Sequence, residues 1–358
     1  MPCKGPDSLR LVFWRIDLGA RGPGYALRDI RAGADLPALK GDIIARLAPD
    51  VLVLSGLDYD HGLVTLRAFG TMIAQRGPAL PHAFAFPSNA GLRMGRDMNG
   101  DGRDDGPDDT QGYGHFSGQR ALAVLSRYPV GSQSARDFSD FLWQDLPDAL
   151  LPALDPAVLQ VQRLSSTGHW DIPIQISPSQ RLHLLIYQAG PPVFGGQSRR
   201  NLYRNHDETA FWLALLEGRL PMSPPDGPFV LIGGSNLDPY DGDGLHGVMR
   251  ALLQSPLLQD PQPQSAGALQ AAQDDFSAAH LGPHELDTVH WPRAPGNLRV
   301  SYILPEAGID VLSSGVLWPA ADGDDAELAA ALAAQGISHR PVWLDIDLRS
   351  IAPDSQLN

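Results

Sequence analysis

The stretch from Phe229 to Asp243 constrains the fold more than any other. Phe229, Val230, Leu231 and Ile232 make a short apolar run bounded by Pro228 on one side and by Gly233 and Gly234 on the other. That length, with those flanks, is a buried strand rather than a helix. The chain then turns at once into Ser235, Asn236 and a loop carrying Asp238, Asp241 and Asp243, too polar to be buried. A core strand that empties into such a loop is where α/β enzymes place their chemistry.

The rest of the chain reads as alternating strands and helices. Residues 9–14 and 51–54 are apolar strand-like runs, and between them Leu36, Leu39, Ile43 and Leu47 recur at helical spacing, which gives a β-α-β opening. Residues 181–188 form a strand stopped by Gly190, Pro191 and Pro192, and residues 119–130, with small apolar alternation, carry another. Helices are expected over 201–220, with Asn205 as a cap, and over 248–258. Trp143, Leu146 and Leu150 in 138–154 are expected to pack on the body, and Gln259–Pro283, rich in Gln, Ala, Ser and Pro, reads as a surface excursion.

At 358 residues, 43% hydrophobic and with a mean hydropathy of −0.15, the chain is long enough for a large core. No apolar run approaches the roughly 18 residues that span a bilayer, and Met1 to Pro6 carries no signal-peptide core, so the expectation is a soluble chain, cytoplasmic by default, with an exported form left open. The single Cys3 excludes an intramolecular disulfide and a cysteine-based zinc site. With 41 acidic against 27 basic residues the net charge is −14, which opposes broad nucleic-acid binding. The densest basic cluster, Arg199, Arg200 and Arg204, reads as a solvated helix start.

Residues 97–108 carry the most specific local motif. Asp97, Asn99 and Asp101 fall at loop positions one, three and five, Gly102 at six, and Asp105 and Asp108 at nine and twelve, the oxygen spacing that wraps Ca²⁺. The loop ends on Asp rather than Glu, and Gly91, Gly95, Gly106 and Pro107 make its flanks non-helical. The expectation is a structural Ca²⁺ in a loop, set against a solvated acidic turn.

The strand ends, in order, resemble the endonuclease/exonuclease/phosphatase superfamily, the deoxyribonuclease I-like fold. The family's Gly-Asp-x-Asn is here Gly233, Gly234, Ser235 and Asn236; its Arg-x-Asp-Tyr strand is Arg299, Val300, Ser301 and Tyr302; its Ser-Asp-His is Ile337, Ser338 and His339, with Val342 following. The resemblance implies an α/β, four-layer sandwich of two mixed β-sheets packed face to face with helices outside. It also implies one domain over 1–358, with insertions near 91–115, 138–168 and 259–295.

What it implies for chemistry is subtraction. Family members hold Mg²⁺ or a similar ion on carboxylates and activate water beside histidines and asparagines. Of those polar positions Asn236 and His339 are retained, while Arg15, Gly56, Gln188, Gly234, Ser301 and Ser338 occupy the others. Four carboxylates, at 56, 234, 301 and 338, are lost together, so no catalytic Mg²⁺ is expected. Arg15 brings a guanidinium that repels a cation and attracts an anion. His339, without its orienting acid, is expected to titrate near neutrality, and Gln188 cannot shuttle a proton. His183 lies five residues before Gln188, on the opposite strand face.

Two readings follow. One is a catalytically inactive pseudoenzyme that binds a protein partner or small anionic ligand through Arg15, Gln188, Asn236 and His339. The alternative is a divergent metal-dependent phosphoester hydrolase whose site is rebuilt by Asp58, Asp60, His169, Asp171, Asp238 or Asp241. His206, Asp207 and Glu208 diverge by about 100° each on a helix and read as its polar start, not a metal cluster.

Overall fold

The computed structural model describes residues 4–19, 21–273 and 276–351, so Cys3 lies outside the described residues. Strands numbered in chain order build two sheets. The first orders β10 (Val311–Val316), β11 (Val342–Asp347), β1 (Ser8–Arg15), β2 (Val51–Leu57), β4 (Ala121–Ser126) and β3 (His82–Phe84). The second orders β5 (Arg136–Asp137), β6 (His169–Ser177), β7 (Gln180–Gln188), β8 (Phe229–Gly234) and β9 (Ser301–Pro305). Both are mixed: β1 with β2 and β7 with β8 are parallel, and the remaining neighbours antiparallel.

Near-continuous apolar strands are what a sheet covered on both faces requires. Alternate residues divide between the faces. Leu9, Leu11, Phe13, Val51, Val53, Leu184, Ile186, Val230, Ile232 and Ile303 meet between the sheets. Val12, Trp14, Leu52 and Leu54 face outward onto Ile30, Ile43, Leu47, Phe69 and Ile73 from α1 (Tyr25–Ala32), α2 (Asp35–Leu47) and α3 (Val64–Ala74), with Leu332 of α8 (Ala326–Ala334). Leu185, Leu231 and Leu304 face Phe211, Trp212, Met249 and Leu252 of α5 (Arg200–Leu216) and α6 (His246–Leu253). This is the expected four-layer sandwich. Among the described residues no helix is long and apolar enough to cross a membrane.

Helix α5 departs from the sequence expectation. It starts at Arg200, so Asn205 is not a cap; its buried side-chain amide donates to the carbonyls of Gly190 (2.8 Å) and Ser235 (2.7 Å), tying the helix to the segments that leave β7 and β8. Arg200 and Arg204 are buried rather than solvated, and Arg204 donates to the carbonyls of Arg163, Leu164 and Ser165 at 2.8–2.9 Å. Asp207 accepts from Trp143 Nε1 (2.6 Å) and Leu150 N (2.7 Å), and Glu208 from Ser166 N (2.6 Å) and Gly190 N (2.8 Å). The polar face of α5 is therefore buried: it satisfies backbone groups of irregular segments that no strand pairs.

Two further boundaries differ. Helix α6 ends at Leu253, not near 258. Residues 259–283 contain α7 (Ala266–Ala271), whose N-terminal Ser265 hydroxyl accepts from Ala268 N at 3.3 Å. Gly267 of α7 sits so close to Trp318 that a Cβ would come within 2.4 Å of its ring, so the segment is packed into the body rather than an excursion from it.

Candidate functional site

The face that carries the inter-sheet core continues past its last apolar residue to the strand ends. Arg15 follows Phe13 on that face, Gln188 follows Ile186, Gly234 follows Ile232, and Ser301 precedes Ile303. Gln188 pairs with Gly234 and Gly234 with Ser301 across the second sheet, so these three are neighbours in register. His339 arrives on the segment before β11, held where Trp14 Nε1 donates to its carbonyl at 3.0 Å. Asn236, in the left-handed region at φ 49°, accepts from Arg15 Nη1 at 3.1 Å and donates to Ala189 O at 2.7 Å. Arg15, Gln188, Gly234, Asn236, Ser301 and His339 therefore gather at one end of the sandwich, as the sequence order implies.

Two of the substituted positions are closed as well as changed. A Cβ built on Gly234 would lie 2.3 Å from Gln188 Oε1 and 2.9 Å from its Cδ, so the glutamine occupies the space an aspartate side chain would enter. Gly56 has φ +84°, and a Cβ there would lie 2.8 Å from Asp17 N and 3.1 Å from Asp17 Cα. Here the obstacle is backbone. The strand's own bulge, where the β2–β4 register shifts between Ser55 and Leu57, produces that conformation.

Asp17 and Lys40 belong to this end of the molecule and were not singled out in the sequence. Asp17, at φ 45°, presents a carboxylate 42% exposed that accepts from Arg15 Nε at 3.2 Å. Burial works to raise its pKa, and the charges of Arg15 and Lys40, with the hydrogen bond from Arg15, hold it below the usual range. Lys40 is buried; its ammonium donates to the carbonyls of Ile16 and Asp17, and burial brings it down to about 8. The signal for Asp17 is its place two residues past the end of β1, with Arg15 and Asp17 both beyond the apolar run.

His339 is 5% exposed, and its Nδ1 has no hydrogen-bond partner among the described residues. Burial, then the positive charge of Arg15, pushes it down to about 3, against a smaller opposing pull from Asp17. The expectation that it titrates near neutrality is thus corrected: a neutral imidazole faces a guanidinium, with no acid bonded behind it. Ser338 contributes its carbonyl to His290 N (2.9 Å), and the backbone N–H of Ser301 donates to Thr288 Oγ1 (3.1 Å).

The acids weighed as replacements are committed elsewhere. Asp60 accepts from Val64 N (2.7 Å) and Thr65 N (2.8 Å) at the start of α3, and Asp58 accepts from Arg120 N (3.1 Å). Asp171 is buried between Arg136 and His183, and His169, stacked on Trp212 at 5.3 Å and lowered to about 4 by burial, bonds Glu208 O. Asp238 accepts from Tyr240 N, Asp241 N and Arg299 N at 2.7–2.9 Å, and Asp241 from Leu281 N and Gly282 N.

In the acidic loop, Asp97 accepts from Gly100 N (2.6 Å) and Gly102 N (2.8 Å), and Asn99 Oδ1 from Asp101 N (2.9 Å). Asp105 sits 3.5 Å from Arg103. The loop is closed by a residue outside the motif: buried Asp109 accepts from Met98 N and Gly106 N, each at 2.9 Å.

At the strand ends the carboxylate of Asp17 accepts from Arg15 through Oδ1, and Arg15 and Lys40 add positive charge beside it. Among the described residues no three His, Cys, Asp or Glu side chains are grouped to hold a metal.

The sequence pattern of the Endonuclease/Exonuclease/phosphatase family matches residues 41–324. No curated protein matches the chain. Among solved structures, the chain is similar to the endonuclease/exonuclease/phosphatase from Beutenbergia cavernae DSM 12333, at 16% identity and a TM-score of 0.55 over 96% of this chain and 72% of that one. It is also similar to the endonuclease/exonuclease/phosphatase family protein from Leptotrichia buccalis C-1013-b, at 12% identity and a TM-score of 0.50 over 94% of this chain and 99% of that one. At such identities the likeness is one of fold.

Proposed function

From the premise that the chain belongs to the endonuclease/exonuclease/phosphatase family, we propose that it is a pseudoenzyme that binds a small anion in the cleft where its relatives' catalytic positions lie. The observation that carries this reading is the double closure: Gln188 fills the side-chain direction of Gly234, and Asp17 backbone fills that of Gly56. An aspartate at Gly234 would have to displace the Gln188 side chain, and a side chain at Gly56 would meet the Asp17 backbone from a left-handed conformation. Without carboxylate oxygens at those positions the usual Lewis acid has no seat, and a neutral His339 offers neither positive charge to a phosphoryl oxygen nor a bonded acid to hold its tautomer.

What remains favours an anion. Arg15 presents a half-buried guanidinium aligned by Asn236 and Asp17, and His339 Nδ1, a donor in one tautomer, has no hydrogen-bond partner among the described residues. A guanidinium fixed by two neighbours is pre-organised for an oxyanion. Calorimetric titration with inorganic phosphate tests this. Saturable binding that needs no divalent ion and weakens about tenfold in Arg15→Gln, a loss of about 1.4 kcal/mol, is the expected result. Binding that requires Mg²⁺, or that is indifferent to Arg15, would count against it.

A second reading rests on Asp17, whose carboxylate stands beside Gly56, where the family's glutamate would begin. In that reading Asp17 substitutes for the glutamate in a divergent phosphoester hydrolase. It predicts metal-dependent turnover that disappears in Asp17→Asn.

A further inference from the structure

On the far side of the β8 loop from Asn236 lies a cavity of about 220 Å³, walled by residues of 238–240, α6 and its C-terminus, 260–262, 282–287 and Arg299. Nearly all its charged groups are matched. Asp260 receives both terminal nitrogens of Arg299, at 2.8 and 2.5 Å; Asp238 receives three backbone N–H groups; Arg250 donates to Pro239 O at 2.6 Å.

Asp287 is the exception. It is 5% exposed, lines the cavity, and its Oδ2 has no hydrogen-bond partner among the described residues. The charges nearest it are mostly of its own sign: Asp238 and Asp241 from the β8 loop and Glu285 from its own segment, against Arg299, which is already paired. A buried carboxyl oxygen without a partner is costly and calls for one that the described residues do not supply. A metal ion is a poor candidate, because the neighbouring carboxylates have spent their oxygens on backbone N–H groups and no three-ligand cluster exists among the described residues. Pro239, Leu253, Pro283 and Leu286 supply apolar wall.

We propose that this cavity binds a small primary aliphatic ammonium ion, its –NH₃⁺ seated on Asp287 and its carbon stem against Leu253 and Leu286. The ammonium supplies both what Asp287 lacks, a donor and a positive charge, and what the apolar walls favour, a short hydrocarbon stem. The site is independent of the anion cleft, so either can fail without the other. Burial, then the charges of Asp238, Asp241 and Glu285, pushes Asp287 up to about 8, so seating the cation also ionises it.

Calorimetry of the full chain near neutral pH with n-butylammonium tests the assignment, with n-butanol and butyrate as neutral and anionic counterparts. Saturable binding of n-butylammonium alone, weakened at least about tenfold by the isosteric Asp287→Asn and unchanged by Arg15→Gln, is expected. Equal binding of n-butanol or butyrate, undiminished affinity in Asp287→Asn, or no saturable binding of n-butylammonium overturns it. Because Asp287→Asn removes an unpaired acid, it should fold at least as well as the parent, and a thermal melt of the variant confirms that the comparison is between folded proteins.

Discussion

Two polar regions share the loop that follows β8, and they have opposite character. On the Asn236 side the strand ends hold Arg15 and Lys40 against the carboxylate of Asp17. On the Asp238 side, two residues along, Asp238, Asp241, Asp260, Glu285 and Asp287 stand against Arg250 and Arg299. A count of acids would place metal chemistry on the second side. The contacts say otherwise, because Asp238 and Asp241 have given their oxygens to backbone N–H groups and Asp260 to Arg299. What matters for binding is the unspent lone pair, and each region keeps a different unspent group: a guanidinium face in the cleft, a carboxyl oxygen in the cavity.

The sharpest attempt to break this contrast is to put an acid back into the cleft. Gly56→Glu should destabilise the protein by roughly 3 kcal/mol or more, since a side chain at φ +84° would also meet Asp17 backbone at 2.8 Å; chemical denaturation measures it. Gly234→Asp should cost less, roughly 2 kcal/mol, because its obstacle is a side chain. The double variant with Gln188→Ala should recover about 1 kcal/mol of that, read as a coupling energy in a double-mutant cycle.

In the cavity the sign reverses, and removing an acid should help. Between about pH 4 and 8 Asp287 is protonated in the fold and ionised in the unfolded chain, so stability falls as pH rises through that window. Asp287→Asn should therefore match the parent near the unfolded pKa of 3.8 and exceed it by a margin that grows, at up to about 1.4 kcal/mol per pH unit, until about pH 8. Thermal melts across that range check both ends.

The smallest effect is expected at Arg15. Arg15→Gln should change stability by no more than about 0.5 kcal/mol while raising the pKa of His339, whose depression owes more to burial than to the guanidinium. An NMR titration should find the parent imidazole neutral until the pH nears 3. Since the folded pKa lies below the unfolded 6.5, His339 contributes stability above that value that is lost as pH falls toward 3.

Much of this architecture could be read from the chain. The apolar strand runs and the helix over 36–47 carried clear periodicity, and β1, β2, β7 and β8 lie where they were expected. Helix α8 did not announce itself, because its run of alanines gives no apolar stripe, and neither did β10, a half-exposed edge strand interrupted by Ser313, Ser314 and Gly315. The polar start assigned to α5 failed for a different reason. Arg204, Asp207 and Glu208 are polar because they serve buried backbone, and polarity alone does not distinguish that from exposure.

The cleft shows the same division. That Gly56, Gly234, Ser301 and Ser338 carry no carboxylate was legible; that a side chain at Gly56 or Gly234 would meet its neighbours was not. Closure depends on where Gln188 points and how the backbone turns at Gly56 and Asp17, and neither leaves a trace in residue type. Lys40 lies inside the helix read over 36–47, where its residue type gives no sign of burial, yet its ammonium reaches into the first strand's exit loop.

The most direct test of the central claim is phosphodiester hydrolysis measured with a simple aryl diester in Mg²⁺, Mn²⁺ and Ca²⁺, for the parent and for His339→Ala. The anion-binding account predicts no metal-stimulated turnover and no difference between the two proteins. Turnover that needs a divalent ion and vanishes in His339→Ala would contradict it.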